Sequence, residues 1–465
     1  MYYPRAMLET LNDFLMTFNH FIWGWPLLLL LLGTHLFLTI RLKFPQRHLI
    51  KALQMYFVKE EHKDGDISQF SSLMIALAAT VGTGNIFGVA IAIAVGGPGA
   101  IFWCWVTGVL GMATRYGEGL LAIKYRVRNQ AGMMLGGPMY ALERGLKMKW
   151  LAIIFAILTT LAAFGIGNLT QGNAAAVIVE RSWGIPTWVT ASGLTILTGI
   201  VMLGGVKSIA RLCALFVPFM ALFYIIGCLI ILGIQAENVW PAICMIMDYA
   251  FSNDAVMGGF VGGTFLAAMR AGVSRGLFSN EAGLGSAPIA SAAARSSNSV
   301  RQALISSTGP FWDTVVVCAL TGLVIATSVI GNEHISFSDG KQLTMMAFDT
   351  IPVFGSHLLT FSLLTFVIST LLGWSYFGEK ALEYLGGARI ILPYRVIWVV
   401  AVFFGCVTEI DLVWNFADCA NALMSIPNLI SLIGLSGVIV KETRYYLWEN
   451  RLDEVDPVAP TLIDD

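Results

Sequence analysis

One stretch of the chain limits its fold more than any other: no charged residue occurs between Ile67 and Thr114. A helix needs about 20 predominantly apolar residues to cross the hydrocarbon core of a bilayer, and this stretch is long enough to cross twice. Only 12% of the whole chain is charged and 57% is hydrophobic, whereas soluble domains contain about 25% charged residues. The sequence therefore predicts an all-α polytopic membrane protein that is embedded in a lipid bilayer.

Similar apolar stretches recur along the chain and predict eleven transmembrane helices. They are expected at residues 22–41, 70–96, 98–123, 150–179, 187–204, 209–234, 256–294 in two pieces, 302–330, 353–378, 392–410 and 412–440. The predicted parts are an N-terminal helix with a basic segment (1–69), a first group of five helices (70–234), a second group of five with outer connecting segments (235–440), and a tail (441–465). No soluble domain of any size is expected.

Lysine and arginine predict the orientation, because cytoplasmic loops of membrane proteins accumulate these residues. With eleven spans and an outside N-terminus, 22 of the 28 basic residues fall in the six segments that face inward. Only Arg5, Arg181 and Lys341 fall on the outer side. We therefore predict that the N-terminus lies outside and that the C-terminus is cytoplasmic.

The charge-free stretch contains a segment that is unusual for a membrane helix, VGTGNIFG at residues 81–88. In hydrocarbon, irregular backbone is tolerated only where it is buried in protein or lines a cavity. Glycine lets a helix unwind and lets a ligand approach the backbone, where freed amides bind a carboxylate and freed carbonyls bind a cation. We interpret Gly82, Gly84 and Asn85 as a helix break, although glycines also serve close packing between membrane helices.

A second segment, GVSRGLFSNEAGLG at residues 272–285, divides the predicted span at 256–294 into two apolar halves that are each too short to cross. Without the extra N-terminal helix, the two interrupted spans are the first and the sixth of ten. Secondary transporters built from inverted five-helix repeats have this spacing, and their broken helices form the substrate and ion site near the midplane. Since the first break has no acidic residue, we predict a site for a small, zwitterionic substrate.

Three motifs resemble the alanine/glycine:cation symporter family: VGTGNIFG at the first break, GVSRGLFSNEAGLGSAP around the second, and GGPG at residues 96–99. The resemblance covers nearly the whole chain. It implies the leucine-transporter fold, with one N-terminal helix added to ten core helices, and inward symport of alanine or glycine with sodium. It also implies a bacterial or archaeal inner membrane, no enzymatic activity, no organic cofactor, no nucleic acid and no obligatory protein partner.

The resemblance implies a substrate site at the two breaks. The amides of Thr83 and Gly84 are expected to receive the substrate carboxylate, and Phe278 and Trp374 to leave room only for a methyl group or a hydrogen. The full expected set is Thr80, Thr83, Gly84, Gln171, Gly276, Phe278, Ser279, Thr370 and Trp374. Ordinary aromatic packing stays an alternative for the two rings.

The sodium site implied by the resemblance joins the first broken helix to the eighth core helix. Its expected ligands are the carbonyls of Ala78, Val81 and Phe366 and the hydroxyls of Ser369 and Thr370. Hard oxygen ligands suit such an ion, but Ser and Thr hydroxyls also bond to the carbonyls of their own helix. Asn85 matches one position of a second sodium site whose partner on the sixth core helix has no match, so the number of ions stays open.

Charged residues inside spans are costly and are usually paired or functional. The expected pairs are Arg115 with Glu118 and Arg275 with Glu281, and we interpret them as structural or as inner-gate contacts. Asp313 and Asp418 are lone acids, and they keep proton coupling on the same scaffold as an alternative. An ion channel would need a continuous polar stripe and a membrane enzyme a reactive cluster at one depth; the sequence has neither pattern.

Overall fold

The structure is a computed structural model that describes residues 3–58, 64–251, 265–332, 334–408, 411–456 and 460–462. Helices dominate these residues, and seven helical segments are long and apolar enough to cross a membrane. A bent pair, Gln69–Thr80 with Gly84–Gly96, adds an eighth. The helical membrane fold predicted from the sequence is confirmed, whereas the count of eleven spans stays a prediction.

The N-terminal part contains two helices where the sequence predicted one. They are α1 (Tyr3–Ile22) and α2 (Trp25–Arg41), followed by α3 (Leu49–Gln54) between 3-10 turns at Pro45–His48 and Met55–Phe57. Polar residues such as Glu9 and Asp13 interrupt the apolar residues of α1, so the helix does not have the hydropathy of a spanning segment. The predicted first span at 22–41 coincides with α2.

The first group of helices follows the predicted order. Its elements are α4 (Gln69–Thr80), a wide π turn (Gly84–Gly88), α5 (Val89–Gly96), α6 (Ala100–Lys124), strands β1 (Val127–Arg128) and β2 (Met134–Leu135), α7 (Pro138–Tyr140), a π turn (Ala141–Gly145), α8 (Lys149–Ala162), a π turn (Ala163–Leu169), α9 (Thr170–Trp183), α10 (Thr187–Leu203) and α11 (Gly205–Ile234). Each π turn widens a helix by one residue per turn, a feature that often accompanies functional sites.

The second group contains the other broken helix and the tail. Its elements are α12 (Ala236–Phe251), α13 (Phe265–Asn280), α14 (Pro288–Ala292), α15 (Ser299–Ser307), a π turn (Phe311–Cys318), α16 (Ala319–Gly331), a 3-10 turn (Phe337–Gln342), α17 (Leu343–Phe348), α18 (Gly355–Gly386), a 3-10 turn (Ala388–Ile390), α19 (Ile391–Val407), α20 (Asp411–Gly434), α21 (Ser436–Thr443), a π turn (Arg444–Trp448) and strand β3 (Thr461–Leu462). Residues 256–264 of the predicted seventh span lie outside the described residues. Strand β1 pairs antiparallel with β2 and parallel with β3, so the tail is joined to the loop after α6.

The first broken helix bends by 55° between α4 and the helix that continues into α5. Val81, at φ −77° and ψ 99°, is extended and ends α4. Gly82 follows it, and the wide turn begins at Gly84. The interruption therefore falls on the VGTGN segment, as the sequence predicted.

The second broken helix is interrupted only in the last part of the predicted segment at residues 272–285, because α13 continues through Gly272 and Gly276. A Cβ on Gly272 would collide with the Ala100 carbonyl, and one on Gly276 with the Thr107 hydroxyl. The two glycines lie four residues apart and let α13 pack closely against α6, as small residues do in membrane helices. They serve packing and do not break the helix.

The interruption itself comprises residues 281–287, between α13 and α14. Three residues there have positive φ: Glu281 at 51°, Gly283 at 92° and Gly285 at 93°. Glycine adopts such angles without a steric penalty, which explains why the AGLG part of the motif is the segment that unwinds.

Candidate functional site

The first break frees backbone carbonyls at the end of α4. The Val81 amide still donates to Leu77 O at 2.8 Å. The Gly82 amide donates instead to Asn85 Oδ1 at 2.8 Å, so it does not bond to the Ala78 carbonyl one turn earlier. A freed carbonyl that is buried needs another positive partner, and Ala78 is fully buried.

The same break frees amides on its other side. Within the described parts of the chain, no backbone carbonyl accepts a hydrogen bond from the Thr83 or Gly84 amide, because both residues lie at the start of the second half-helix. The first amides of a helix have no partner within the helix, and the helix dipole makes this end favourable for anions. The break can therefore bind a carboxylate with its backbone alone.

A cavity of about 480 Å³ lies where the two broken helices meet. Eight of the nine residues predicted to contact substrate line it: Thr80, Thr83, Gly84, Gln171, Phe278, Ser279, Thr370 and Trp374. Gly276, the ninth, does not line the cavity, because its Cα faces Thr107 and Cys104 of α6. The cavity reaches Arg181 at the end of α9 and Gln342 before α17.

Aromatic rings bound one end of this cavity. A Cβ added to Gly84 would lie 3.8 Å from Phe278 Cδ1 and Cε1, so the Phe278 ring lies directly beside the freed amides. Trp374 is fully buried, and Gly167 makes room for it, because a Cβ at Gly167 would collide with Trp374. The Gln171 amide donates to Ile166 O at 3.1 Å, while its buried Oε1 has no partner in the described structure and is available to a ligand.

The predicted sodium ligands lie where α4 packs against α18. Thr370 Oγ1 would be 3.0 Å from a Cβ on Gly82, so this hydroxyl faces the break. The hydroxyls of Ser369 and Thr370 donate to Phe366 O at 2.8 and 2.9 Å. This back-bonding uses the hydroxyl hydrogen and leaves the oxygen lone pairs free for a cation. All five predicted ligands, Ala78, Val81, Phe366, Ser369 and Thr370, are buried.

The structure also joins three residues that the sequence analysis treated separately. Asn85 Nδ2 donates to Asp313 Oδ1 at 2.7 Å and to Ser279 Oγ at 3.0 Å. Ser279 Oγ donates to Asp313 Oδ2 at 2.9 Å, and Thr314 Oγ1 to the same oxygen at 2.7 Å. We call these three residues, together with Thr314, the Asp313 cluster. It links the two breaks to the π turn after α15, and its only signal in the sequence was an acid in an apolar span.

The predicted pair of Arg115 and Glu118 is present and holds the second break. Arg115 Nη1 lies 3.3 Å from Glu118 Oε2. Arg115 Nη2 donates to Asn280 O, the last carbonyl of α13, at 2.8 Å. Glu118 Oε1 accepts the Gly283 amide at 2.9 Å and the Asn428 amide at 2.7 Å. The pair thus satisfies both backbone ends of the unwound segment, which is a structural role.

The predicted pair of Arg275 and Glu281 is not formed in the described structure. Glu281 accepts a hydrogen bond from Ser286 Oγ at 2.5 Å. Arg275 lies with its Cζ 5.3 Å from the Phe278 ring centre, and Asp418 is the acid whose charge acts on it. The sequence suggested the pair only because opposite charges within spans are usually paired; helix α13 ends at Asn280, between the two residues. Arg275 and Asp418 both line the cavity.

Comparisons with known proteins agree with this architecture. The sequence model of the Sodium:alanine symporter family matches residues 8–459. The chain is 49% identical over 438 residues to the Sodium/alanine symporter AgcS of Methanococcus maripaludis, covering 92% of this chain and 96% of the relative. It is 36% identical over 446 residues to the Probable sodium/glutamine symporter GlnT of Bacillus subtilis, covering 95% and 91%.

Among solved structures, MhsT in complex with L-phenylalanine is similar, with a TM-score of 0.57 at 14% identity over 82% of this chain and 98% of that chain. At that identity the likeness shows the fold alone, which is the leucine-transporter fold expected from the motifs. The family model and these two relatives match almost the whole chain, and the two are named as a sodium/alanine symporter and a probable sodium/glutamine symporter. This protein is a multi-pass membrane transporter that belongs to the sodium:alanine symporter family.

Proposed function

We propose that the protein imports small neutral amino acids, alanine and glycine, together with sodium by alternating access. The observation that carries the proposal is the cavity between the two breaks. It is lined by Thr83 and Gly84, whose amides have no backbone partner in the described residues, and by Thr80 at the end of α4. Membership of the family supports symport of an amino acid with a cation. The distribution of Lys and Arg supports an outside N-terminus and a cytoplasmic C-terminus.

In the proposed complex, the substrate carboxylate accepts hydrogen bonds from the Thr83 and Gly84 amides. Its ammonium group faces the C-terminal end of α13, where the helix dipole favours a cation. The two half-helices therefore present opposite partial charges to the two ends of a zwitterion. This arrangement needs no basic side chain, which agrees with the charge-free sequence around the first break.

The cavity volume does not by itself select alanine. A volume of about 480 Å³ is within the range of about 300–1,000 Å³ that binds drug-sized ligands, and one relative is named as a probable glutamine symporter. Selection for a small side chain must therefore come from the rings that bound the cavity. We assign this role to Phe278 and Trp374.

Phe278→Leu is expected to retain alanine transport and to gain competition by valine or leucine. The smaller side chain removes ring atoms beside Gly84, and each added methylene that gains apolar contact contributes about 1–3 kcal/mol. The measurement is inhibition of labelled alanine uptake by larger amino acids, with wild type in parallel. Phe377→Leu is the control, since Phe377 is buried on α18 and does not line the cavity. An identical inhibition profile in all three proteins would mean that Phe278 only packs.

We place sodium between the end of α4 and α18. The freed Ala78 carbonyl and the lone pairs of the Thr370 hydroxyl provide hard oxygen ligands there, of the kind that such a cation prefers. The remaining proposed ligands are the carbonyls of Val81 and Phe366 and the hydroxyl of Ser369. The cation would also neutralise the carbonyl dipoles at the C-terminal end of α4.

Thr370→Ala is expected to raise the half-saturating sodium concentration about tenfold, while alanine recognition at saturating sodium changes much less. The substitution removes one ion ligand and leaves the Thr83 and Gly84 amides in place. The matched control is Thr365→Ala, because Thr365 Oγ1 is back-bonded to Ser362 O on the same helix and does not line the cavity. If both variants have the wild-type sodium curve, the Thr370 hydroxyl serves its helix alone.

The Asp313 cluster favours a further cation. Asp313 is fully buried. Arg115, the cation whose charge acts on it, is paired with Glu118 and forms no ion pair with Asp313 in the described residues. Three donors approach its oxygens, which suits the ionised form. A buried carboxylate needs a compensating charge, and either a second sodium ion or a proton would supply it; the cluster is thus the observation that keeps proton coupling as the second candidate.

Uptake of labelled alanine into proteoliposomes tests the proposal. We expect accumulation when a sodium gradient is directed inward and none when choline replaces sodium. If a pH gradient drives alanine accumulation when choline replaces sodium, the coupling ion is the proton and not sodium. A current that persists without alanine and does not saturate would indicate a channel, which is the least favoured reading.

A further inference from the structure

A basic and apolar surface lies outside the transport site, on the segment that follows α2. We call residues 44–58 the surface segment. Its 3-10 turns and α3 form a short, bent helix with two faces. One face packs on the protein, with Ala52 fully buried and Met55 buried. The other face exposes large apolar side chains: Phe44 is 59%, Ile50 72%, Phe57 90% and Val58 52% exposed.

The chain places this segment at the edge of the membrane. α2 is apolar enough to span and ends at Arg41. Lys43 and Phe44 then both have positive φ, 56° and 58°, so the chain turns sharply before the first 3-10 turn at Pro45. The segment begins three residues after this helix ends and therefore starts within about 11 Å of the helix end, because a residue extends the chain by at most about 3.6 Å.

Basic side chains surround the exposed apolar ones. Arg41, Lys43 and Arg47 are exposed, and Lys51 is half-buried. Lys43 lies 4.3 Å from the Trp448 ring centre, which brings the exposed Arg444 of the next π turn to the same side. A short helix with cationic and large apolar side chains binds at a membrane interface, where apolar groups enter the acyl boundary and cations meet anionic headgroups.

The surface segment also contacts α4 and the π turn that contains Asp313. The Tyr56 hydroxyl contacts Thr308 Oγ1 and accepts a hydrogen bond from Trp312 Nε1 at 3.3 Å. The Tyr56 ring packs edge-on against Phe70 of α4, with ring centres 5.8 Å apart. Trp312 precedes Asp313, and α4 is the half-helix that ends at the first break. Tyr56 therefore connects the surface segment to α4 and to the residue that precedes Asp313.

We propose that the surface segment binds anionic phospholipid in the leaflet next to it, with Arg47 and Lys51 on the headgroups and Ile50 and Phe57 in the acyl boundary. A soluble protein partner is the competing occupant. If the segment bound such a partner, Phe57 would be exposed to water whenever the partner is absent. The proposal does not depend on which amino acid or ion the protein carries.

A nitroxide at position 57 tests the membrane contact. Phe57→Cys is labelled in a background with Cys244→Ser, since Cys244 is exposed while the other six cysteines are buried. In proteoliposomes we expect the label to collide several-fold more often with oxygen than with a water-soluble nickel chelate. The control is Asp453→Cys, whose native side chain is fully exposed, and which should favour nickel. If position 57 behaves like position 453, the segment lies in water and the proposal is wrong; Ile50→Cys repeats the test should the first variant fold poorly.

Lipid specificity needs a second measurement. Phosphatidylglycerol added to the purified protein in neutral detergent should raise its unfolding temperature by a few degrees more than phosphatidylcholine does, because a ligand of the folded state stabilises it. The double variant Arg47→Gln with Lys51→Gln should lose this difference. Lys147→Gln with Lys149→Gln removes the same charge elsewhere and should retain it. An equal response of both double variants would place the anionic lipid at another surface and overturn the proposal.

Discussion

Gly84→Ala is expected to abolish binding of alanine while the folded protein stays in the membrane. The added methyl group would lie between the Thr83 and Gly84 amides and the Phe278 ring, where the substrate carboxylate has to fit. Alanine also favours a continuous helix over the break by about 1 kcal/mol relative to glycine. We expect a loss of affinity of at least about 100-fold, which equals about 2.8 kcal/mol at 1.4 kcal/mol per factor of ten.

The fold should tolerate this change. The nearest atoms to the new Cβ are Phe278 Cδ1 and Cε1 at 3.8 Å, which is ordinary van der Waals contact, and Gly84 has no positive φ to lose. Gly193→Ala is the matched control, because no atom lies within 4 Å of a Cβ there. Binding of labelled alanine to purified protein, with the unfolding temperature measured alongside, separates the two effects. Normal affinity in the Gly84 variant would assign the glycine to helix packing.

The first break was predictable because its signal is local. Glycines, threonines and an asparagine in an otherwise apolar span conflict with a continuous membrane helix, and no distant residue is needed to see the conflict. The roles of the Thr83 and Gly84 amides were implied by the family resemblance and stay a prediction. The structure places the interruption on the same residues, from Val81 to Gly84.

The second break was predicted over too long a segment, residues 272–285, because glycine has two uses in membranes. Gly272 and Gly276 look the same in sequence as Gly283 and Gly285. The first two face α6 and allow close packing, whereas the last two adopt positive φ. Only the neighbouring helix decides between these uses, and the sequence does not identify that neighbour. Gly276 was assigned to the substrate site from the family resemblance, but it does not line the cavity.

Long-range contacts explain the other differences. Asn85 and Asp313 are 228 positions apart, so no local pattern joins them. The tail strand β3 completes a sheet with β1, and two-residue strands have no recognisable periodicity. Helix α1 packs on α20 through the Asn19 amide, which donates to Asn415 O at 2.8 Å. Its polar residues bond to protein, so hydropathy alone underestimates how well the helix is accommodated.

The largest expected effect on ion coupling comes from Asp313→Asn. The substitution removes the negative charge of the Asp313 cluster while nearly preserving the shape of the side chain. If a sodium ion compensates that charge, the half-saturating sodium concentration should rise more than tenfold, because the cation loses an opposite charge in a buried site where it is weakly screened. Alanine uptake at fixed alanine and varied sodium measures the change.

A matched substitution separates this effect from the loss of any buried acid. Asp418→Asn also removes a lone carboxylate that lines the cavity, but Asp418 is not part of the Asp313 cluster, so the sodium curve should move little. Proton coupling makes a different prediction for Asp313→Asn: uptake would become insensitive to a pH gradient and would not respond to added sodium. If the sodium curve and the pH response both match wild type, Asp313 only holds Asn85 and Ser279 together, and the charge of the cluster takes no part in transport. The Asn side chain can still accept hydrogen bonds through its oxygen, so normal protein levels are expected in every one of these outcomes.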